Sequence, residues 1–181
     1  MPAREVAAKR YAQAVFALAR DATTFDPWRA DLATIAALFA DPTVAGYLAN
    51  SKVPEEQKFT LLQRALPDVQ PLALNLARLL VRKRRVALAP DIAEAFGVQL
   101  NTERGVAVAQ VTTAVPLSEG ARTALIEAIR RGFGATSVDL HESVARDILG
   151  GAVIRVGDHL IDGSVATRLQ DLRRSIAGSM V

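Results

Sequence analysis

Apolar residues recur at helical spacing up to Gly105 and at strand-like spacing after it, and this change of period limits the fold more than any other feature. Helical segments followed by a mixture of strands and helices imply an α+β chain with two domains, 1–105 and 106–181. A length of 181 residues suffices for two small cores. Half of the residues are apolar but only 5% are aromatic, so those cores must rest on Ala, Leu, Val and Ile, which suits closely packed helices.

The first predicted helix covers 2–20. At ~100° per residue, Ala7, Ala8, Tyr11, Ala12, Ala14, Val15, Leu18 and Ala19 occupy an arc of about 160°, wider than one packing contact needs, while Val6 and Phe16 intrude on the polar side. Asp26-Pro27 predicts a cap and first residue for a second helix through Leu32, Ile35, Leu38 and Phe39. Asp41-Pro42 ends that helix and opens a short third one through Val44, Tyr47 and Leu48. Pro54-Glu55-Glu56 places a proline and two acids in the first turn of a fourth, with Phe59, Leu62 and Leu66 on its apolar face. A fifth helix over 72–85 is apolar nearly all round until its basic end, so it is either central or covered on two sides. A sixth over 90–102 carries Ile92, Phe96 and Leu100, and Gly105 breaks it.

Beyond Gly105, Val106, Val108, Val111, Thr112 and Thr113 form a β-branched run ending before Pro116. Ser118 is placed to cap a helix with Ala121, Leu125, Ile129 and Phe133 on one face, stopped by Gly132 and Gly134. Short strands are expected over 137–144, 152–156 and 159–161, the last two flanking a Gly157-Asp158 turn. Ser164 then caps a final helix through Val165, Leu169, Leu172 and Ile176.

Signals for chemistry are weak throughout. The absence of cysteine excludes disulfides, thiolate metal sites and a cysteine nucleophile. His141 and His159 have no Asp, Glu or Cys cluster at metal-ligand spacing, so solvent-facing or hydrogen-bonding roles are expected for both. Gly150-Gly151 lacks the Lys-Ser or Lys-Thr of a phosphate loop, and Asp162-Gly163-Ser164 reads as a turn into a capped helix. No catalytic residue, cofactor or metal is expected.

The formal charge of +3 divides as 14 basic and 11 acidic residues in 1–105 against 8 of each in 106–181, far from the field of a dedicated nucleic-acid binder. Arg82-Lys83-Arg84-Arg85 is the one run that suggests phosphate contacts, but it lacks interleaved aromatics, and a helix C-terminus favours positive charge independently. No apolar run reaches the roughly 18–20 residues of a membrane span, and no signal-peptide pattern is visible. The chain is therefore expected to be soluble and to meet a membrane only through a partner.

The run Leu149-Gly150-Gly151-Ala152-Val153-Ile154-Arg155-Val156-Gly157-Asp158-His159-Leu160-Ile161-Asp162-Gly163-Ser164-Val165, followed by Arg168-Leu169, resembles the C-terminal signature of ATP synthase delta subunits, whose mitochondrial relative is the oligomycin-sensitivity-conferring protein. Lys9-Arg10-Tyr11-Ala12-Gln13-Ala14-Val15-Phe16-Ala17-Leu18-Ala19 is similar to the first helix of that family. One departure is that Ala145-Arg146 stands where the family usually has an acidic residue and a proline, and the nearest acid here is Asp147.

The resemblance implies a non-catalytic stator subunit on the cytoplasmic side of the bacterial cell membrane. Its N-terminal six-helix bundle would hold the N-terminal segments of alpha subunits in a groove between the first and fifth helices. Tyr11, Ala14, Val15 and Leu18 would face Leu76, Leu79 and Leu80 there. The C-terminal β/α domain would meet the b subunits of the peripheral stalk, with Gly150, Gly151, Gly157, Asp158, Asp162 and Ser164 in structural roles. An unrelated helical scaffold and a nucleic-acid module at Arg82–Arg85 are the rival readings.

Overall fold

The computed structural model describes residues 3–145 and 148–178, and it divides into two compact units, Met1–Leu100 and Asn101–Val181. Arg146 and Asp147, at the departure from the family pattern, lie outside the described residues. The architecture is mixed α+β.

The first unit contains α1 (Ala3–Asp21), α2 (Phe25–Ala40), α3 (Pro42–Ala49), α4 (Glu55–Ala65), α5 (Pro71–Arg82), a 3-10 turn (Val86–Leu88) and most of α6 (Ala89–Glu103). One continuous core joins them, centred on the fully buried Trp28, Phe96, Ile35, Leu62 and Leu80. Boundaries follow local chemistry. The Asp41 carboxylate accepts from the backbone N–H groups of Thr43 and Val44 at 2.7 and 3.1 Å, so the residue after α2 starts α3. These two bonds, that of Val44 first, hold its pKa below the usual carboxylate range.

Three expectations change. The second helix starts at Phe25 without a side-chain cap, and Asp26 lies in its first turn. Phe25 packs its ring 5.2 Å from that of Phe16, which draws the helix start back toward α1. Phe16 itself, expected on the polar side, is buried, with its ring also 5.7 Å from that of Phe96. A large ring recovers more free energy by burial than several alanines, so it turns the core face of α1 toward itself. The fifth helix ends at Arg82 rather than Arg85, because the chain turns through a left-handed conformation at Arg84, with φ +55°.

The second unit contains β1 (Val106–Thr113), α7 (Glu119–Phe133), β2 (Ser137–Val144), β3 (Ala152–Val156), β4 (His159–Asp162) and α8 (Val165–Gly178). The sheet order is β2-β1-β3-β4. β1 pairs in parallel with β2 across the α7 crossover, and β3 runs antiparallel to both β1 and β4. The registers put Ala107, Ala109, Val138, Leu140, Ile154 and Val156 on one face, where Leu125 and Ile129 of α7 cover them. Arg122 of α7 pairs with Glu142 on the same face at 2.7 Å. Ser118 accepts from the N–H of Ala121, and Gly134 ends α7 at φ +62°. The β3–β4 loop has two residues, with φ +57° at Gly157 and none positive at Asp158, a II′ pattern.

Phe96 is fully buried and touches a ring of α1, so Phe96→Ala is expected to destabilise the chain by about 3–5 kcal/mol in urea unfolding followed by far-UV circular dichroism.

Candidate interaction surfaces

The wide apolar arc of α1 resolves into two stripes. Ala8, Ala12, Val15, Phe16 and Ala19 face the core. Ala7, Tyr11, Ala14 and Leu18, spaced 4-3-4 and turned about 120° away, form an outer stripe that passes from half-buried to exposed, with Leu18 47% exposed. The fifth helix repeats the arrangement. Ala73, Leu76, Ala77, Leu80 and Val81 are buried, while Leu72 and Leu79, two turns apart, stay 52% and 39% exposed.

These stripes divide the seven residues expected to form a groove. Val15, Leu76 and Leu80 belong to the shared core, at no more than 9% exposure, and their neighbours within the unit already cover them. They are not an open floor. Ala14, Leu18 and Leu79 are accessible, and Tyr11 is half-buried against the core. A contact between Arg85 and the Tyr11 hydroxyl, at 3.5 Å, brings the outer stripe of α1 to the C-terminal end of α5.

A concavity of the helical unit lies elsewhere. About 620 Å³ in volume, it runs between α1 and α6, lined among others by Arg4, Ala8, Lys9, Asp91, Ala95 and Val98. Arg4 reaches across it to the Asp91 carboxylate and the Ala87 carbonyl. Sequence periodicity missed this feature because its walls are charged and its floor is alanine, a pattern read as ordinary solvent-facing helix.

In the second unit the glycine-rich signature forms a clasp. Gly151 has φ +77°, and a Cβ there would stand 2.3 Å from the Gly163 carbonyl oxygen. A Cβ on Gly150 would meet Val165 at 3.1 Å, and one on Gly163 would meet the Ala152 carbonyl at 3.2 Å. The approach allows two backbone bonds, from Gly163 N–H to Ala152 C=O at 2.9 Å and from Val165 N–H to Gly150 C=O at 3.0 Å. The start of β3 is thus fastened to the entry of α8.

Asp162 and Ser164 complete the clasp. Asp162 accepts from the Ser164 N–H and the Thr167 hydroxyl, both at 2.8 Å, and the buried Ser164 hydroxyl accepts from the Thr167 N–H at 3.2 Å. The Ser164 N–H, then the Thr167 hydroxyl, hold the Asp162 pKa below the usual carboxylate range. Asp158 sits in the exposed hairpin turn. His141 lies 3.4 Å from Asp139 on the outer sheet face, and the His159 ring lies 5.6 Å from that of Phe133. Around the clasp, Leu149, Leu160, Ile161, Val165 and Leu169 are all exposed.

The family model for the ATP synthase delta (OSCP) subunit matches residues 7–176. The chain belongs to this family. It is 38% identical over 173 residues to ATP synthase subunit delta of Dehalococcoides mccartyi, covering 94% of this chain and 93% of that protein. Identity to the Anoxybacillus flavithermus subunit delta is 30%, with 96% and 98% covered, and to the Gemmatimonas aurantiaca subunit delta 35%, with 97% and 95% covered. A chain in the cryo-EM structure of the Toxoplasma gondii mitochondrial ATP synthase hexamer has the same fold, with a TM-score of 0.70 at 24% identity, covering 94% of this chain and 97% of that one. A delta subunit is a structural component of the peripheral stalk of F-type ATP synthase and not a catalytic one. Among the described residues, no single helix is long and apolar enough to cross a membrane.

The clasp carries two expectations. Gly151→Ala would drive a methyl group into the Gly163 carbonyl at a left-handed φ, so a loss of more than about 2 kcal/mol is expected in urea unfolding. Because its pKa is depressed in the folded chain, Asp162 stabilises at pH values above the ordinary carboxylate pKa, and that contribution is lost as pH falls through the lower folded value. Thermal melts should show Asp162→Ala less stable than the wild type at neutral pH, with the gap narrowing below about pH 4.

Proposed function

We propose that this delta subunit is the stator adaptor between the catalytic head and the peripheral stalk, with the work divided between 1–105 and 106–181. The helical part acts as a six-helix bundle that holds N-terminal segments of the alpha subunits on the outer stripes of α1 and α5. The β/α part meets the b subunits through the apolar residues around α8 and the β4 edge. Rotation of the central shaft drags on the head, and an adaptor that rarely lets go keeps the head still, so that ion translocation stays coupled to ATP synthesis. The subunit works on the cytoplasmic side of the bacterial cell membrane and reaches that membrane through the complex.

The observation that carries this reading is the second apolar stripe on both α1 and α5. Each helix already buries a full face in its own core, yet keeps leucines exposed beside it. Leu18, Leu72 and Leu79 are already about half covered, so a partner helix that buries the rest of each adds about 0.6–1.5 kcal/mol per residue. Alanines at 7 and 14 let a helix approach closely. Joining several alpha and b chains through one subunit adds avidity, which slows release without new contacts.

Calorimetric titration of the full chain with a peptide of the alpha-subunit N-terminus tests the assignment. Leu18→Asp and Leu79→Asp should each weaken binding about tenfold or more, while Val98→Asp, in the α1/α6 concavity, should leave it unchanged. The opposite pattern moves the docking face to that concavity. Wild-type affinity in both leucine variants removes the reading.

A further inference from the structure

We propose that the turn after α5 recognises acidic groups: Lys83 and Arg84 form a cationic end to the Leu72–Leu79 stripe, suited to an amphipathic helical segment whose carboxylates lie beyond its apolar residues. The inference rests on the assignment of α1 and α5 as the docking face for the head.

The ordinary reason for cations at a helix end is to satisfy its last carbonyls, and here that need is already met. Leu79, Leu80 and Val81 accept backbone N–H bonds from Lys83, Arg85 and Arg84 at 2.9, 2.8 and 3.0 Å. The last two bonds are those of a Schellman turn, with Arg84 in the left-handed position at φ +55°. Glycine takes that position without strain, and at the end of α7 this chain uses it, with Gly134 at φ +62° and the equivalent bond from Ala135 N–H to Arg130 C=O. At the end of α1 the position is held by Thr23, at φ +55°, so glycine is not the only residue this chain places there. Arginine is not among the types that favour the conformation, and the side chain at 84 contributes nothing to the cap.

The neighbouring cations are occupied. Arg82 pairs with Glu55 at 3.5 Å and lies over the Phe59 ring, with Arg78 on the same ring. Arg85 contacts Tyr11. Lys83 and Arg84 are exposed and meet no carboxylate among the described residues. Lys83 stands one turn after the exposed Leu79, so it extends the same stripe. An apolar stripe ending in two unmatched positive charges is complementary to a segment with apolar residues at i, i+3 or i+4 and i+7, followed by Asp or Glu.

Arg84→Gly separates this role from a structural one, because the two move in opposite directions. Relief of the left-handed arginine should raise the Tm by about 3 °C. The same substitution should weaken binding of the alpha N-terminal peptide about fivefold at low salt, and Lys83→Ser with Arg84→Gly more than tenfold, with both differences shrinking near 0.5 M salt. A peptide with Asn and Gln in place of Asp and Glu should bind wild type and variants alike. If wild type binds the peptide and the double variant binds equally well, the charge-recognition proposal is wrong while the docking face stands. If wild type does not bind, the docking face is wrong and this proposal falls with it. A duplex oligonucleotide that displaces the peptide at equal concentration would mark a general polyanion site and overturn the proposal as well.

Discussion

The constraint from which the rest of the molecule follows is the small size of its core side chains. With aromatics at 5% of the sequence, the helices pack through Ala8, Ala12, Ala19, Ala73, Ala77 and Ala89, and a handful of rings fill the places where alanine cannot. Close-packed helices of this kind bury a narrow face each, and any further apolar residue is left outside. The outer stripes of α1 and α5 are the direct result. That apolar surface is left over because the unit's own core does not consume it.

The second unit solves a different problem. Among the described residues its buried apolar side chains are Ala109, Val111, Ile129 and Val156, with half-buried neighbours around them. The entry to α8 is held by backbone bonds between the double-glycine loop and the start of that helix, and by the Asp162, Ser164 and Thr167 network. That explains why the most recognisable stretch of the sequence contains no catalytic group. At Gly151 and Gly163 two backbones meet at a distance that leaves little or no room for a Cβ.

Element types and order were largely legible in the sequence, because periodicity, proline positions and capping residues all report local geometry. Asp41, Ser118, Gly134, Gly157 and Ser164 stand where they were expected to act. The failures share a cause, namely tertiary competition that no local pattern contains. Phe16 lies on the polar side of α1 by spacing, but its rings of contact on α2 and α6 decide its burial. Val15, Leu76 and Leu80 were plausible partner contacts until the core claimed them. The run Arg82–Arg85 reads as a helix end carrying four cations, yet only Arg82 is helical, since a left-handed turn at arginine is a choice the sequence does not advertise.

The placement of β1 has a mechanical consequence. This strand is the first of the second unit and is interior to the sheet, with eight residues in register with β2 and five with β3. A pull along the axis of β1 loads the hydrogen bonds to both neighbours in shear, all together, rather than peeling them open in succession. From β3 the same tension passes through the Gly151–Gly163 contact into α8. Within the second unit, β1, its two ladders and the clasp thus form one mechanically continuous path from the first strand to α8.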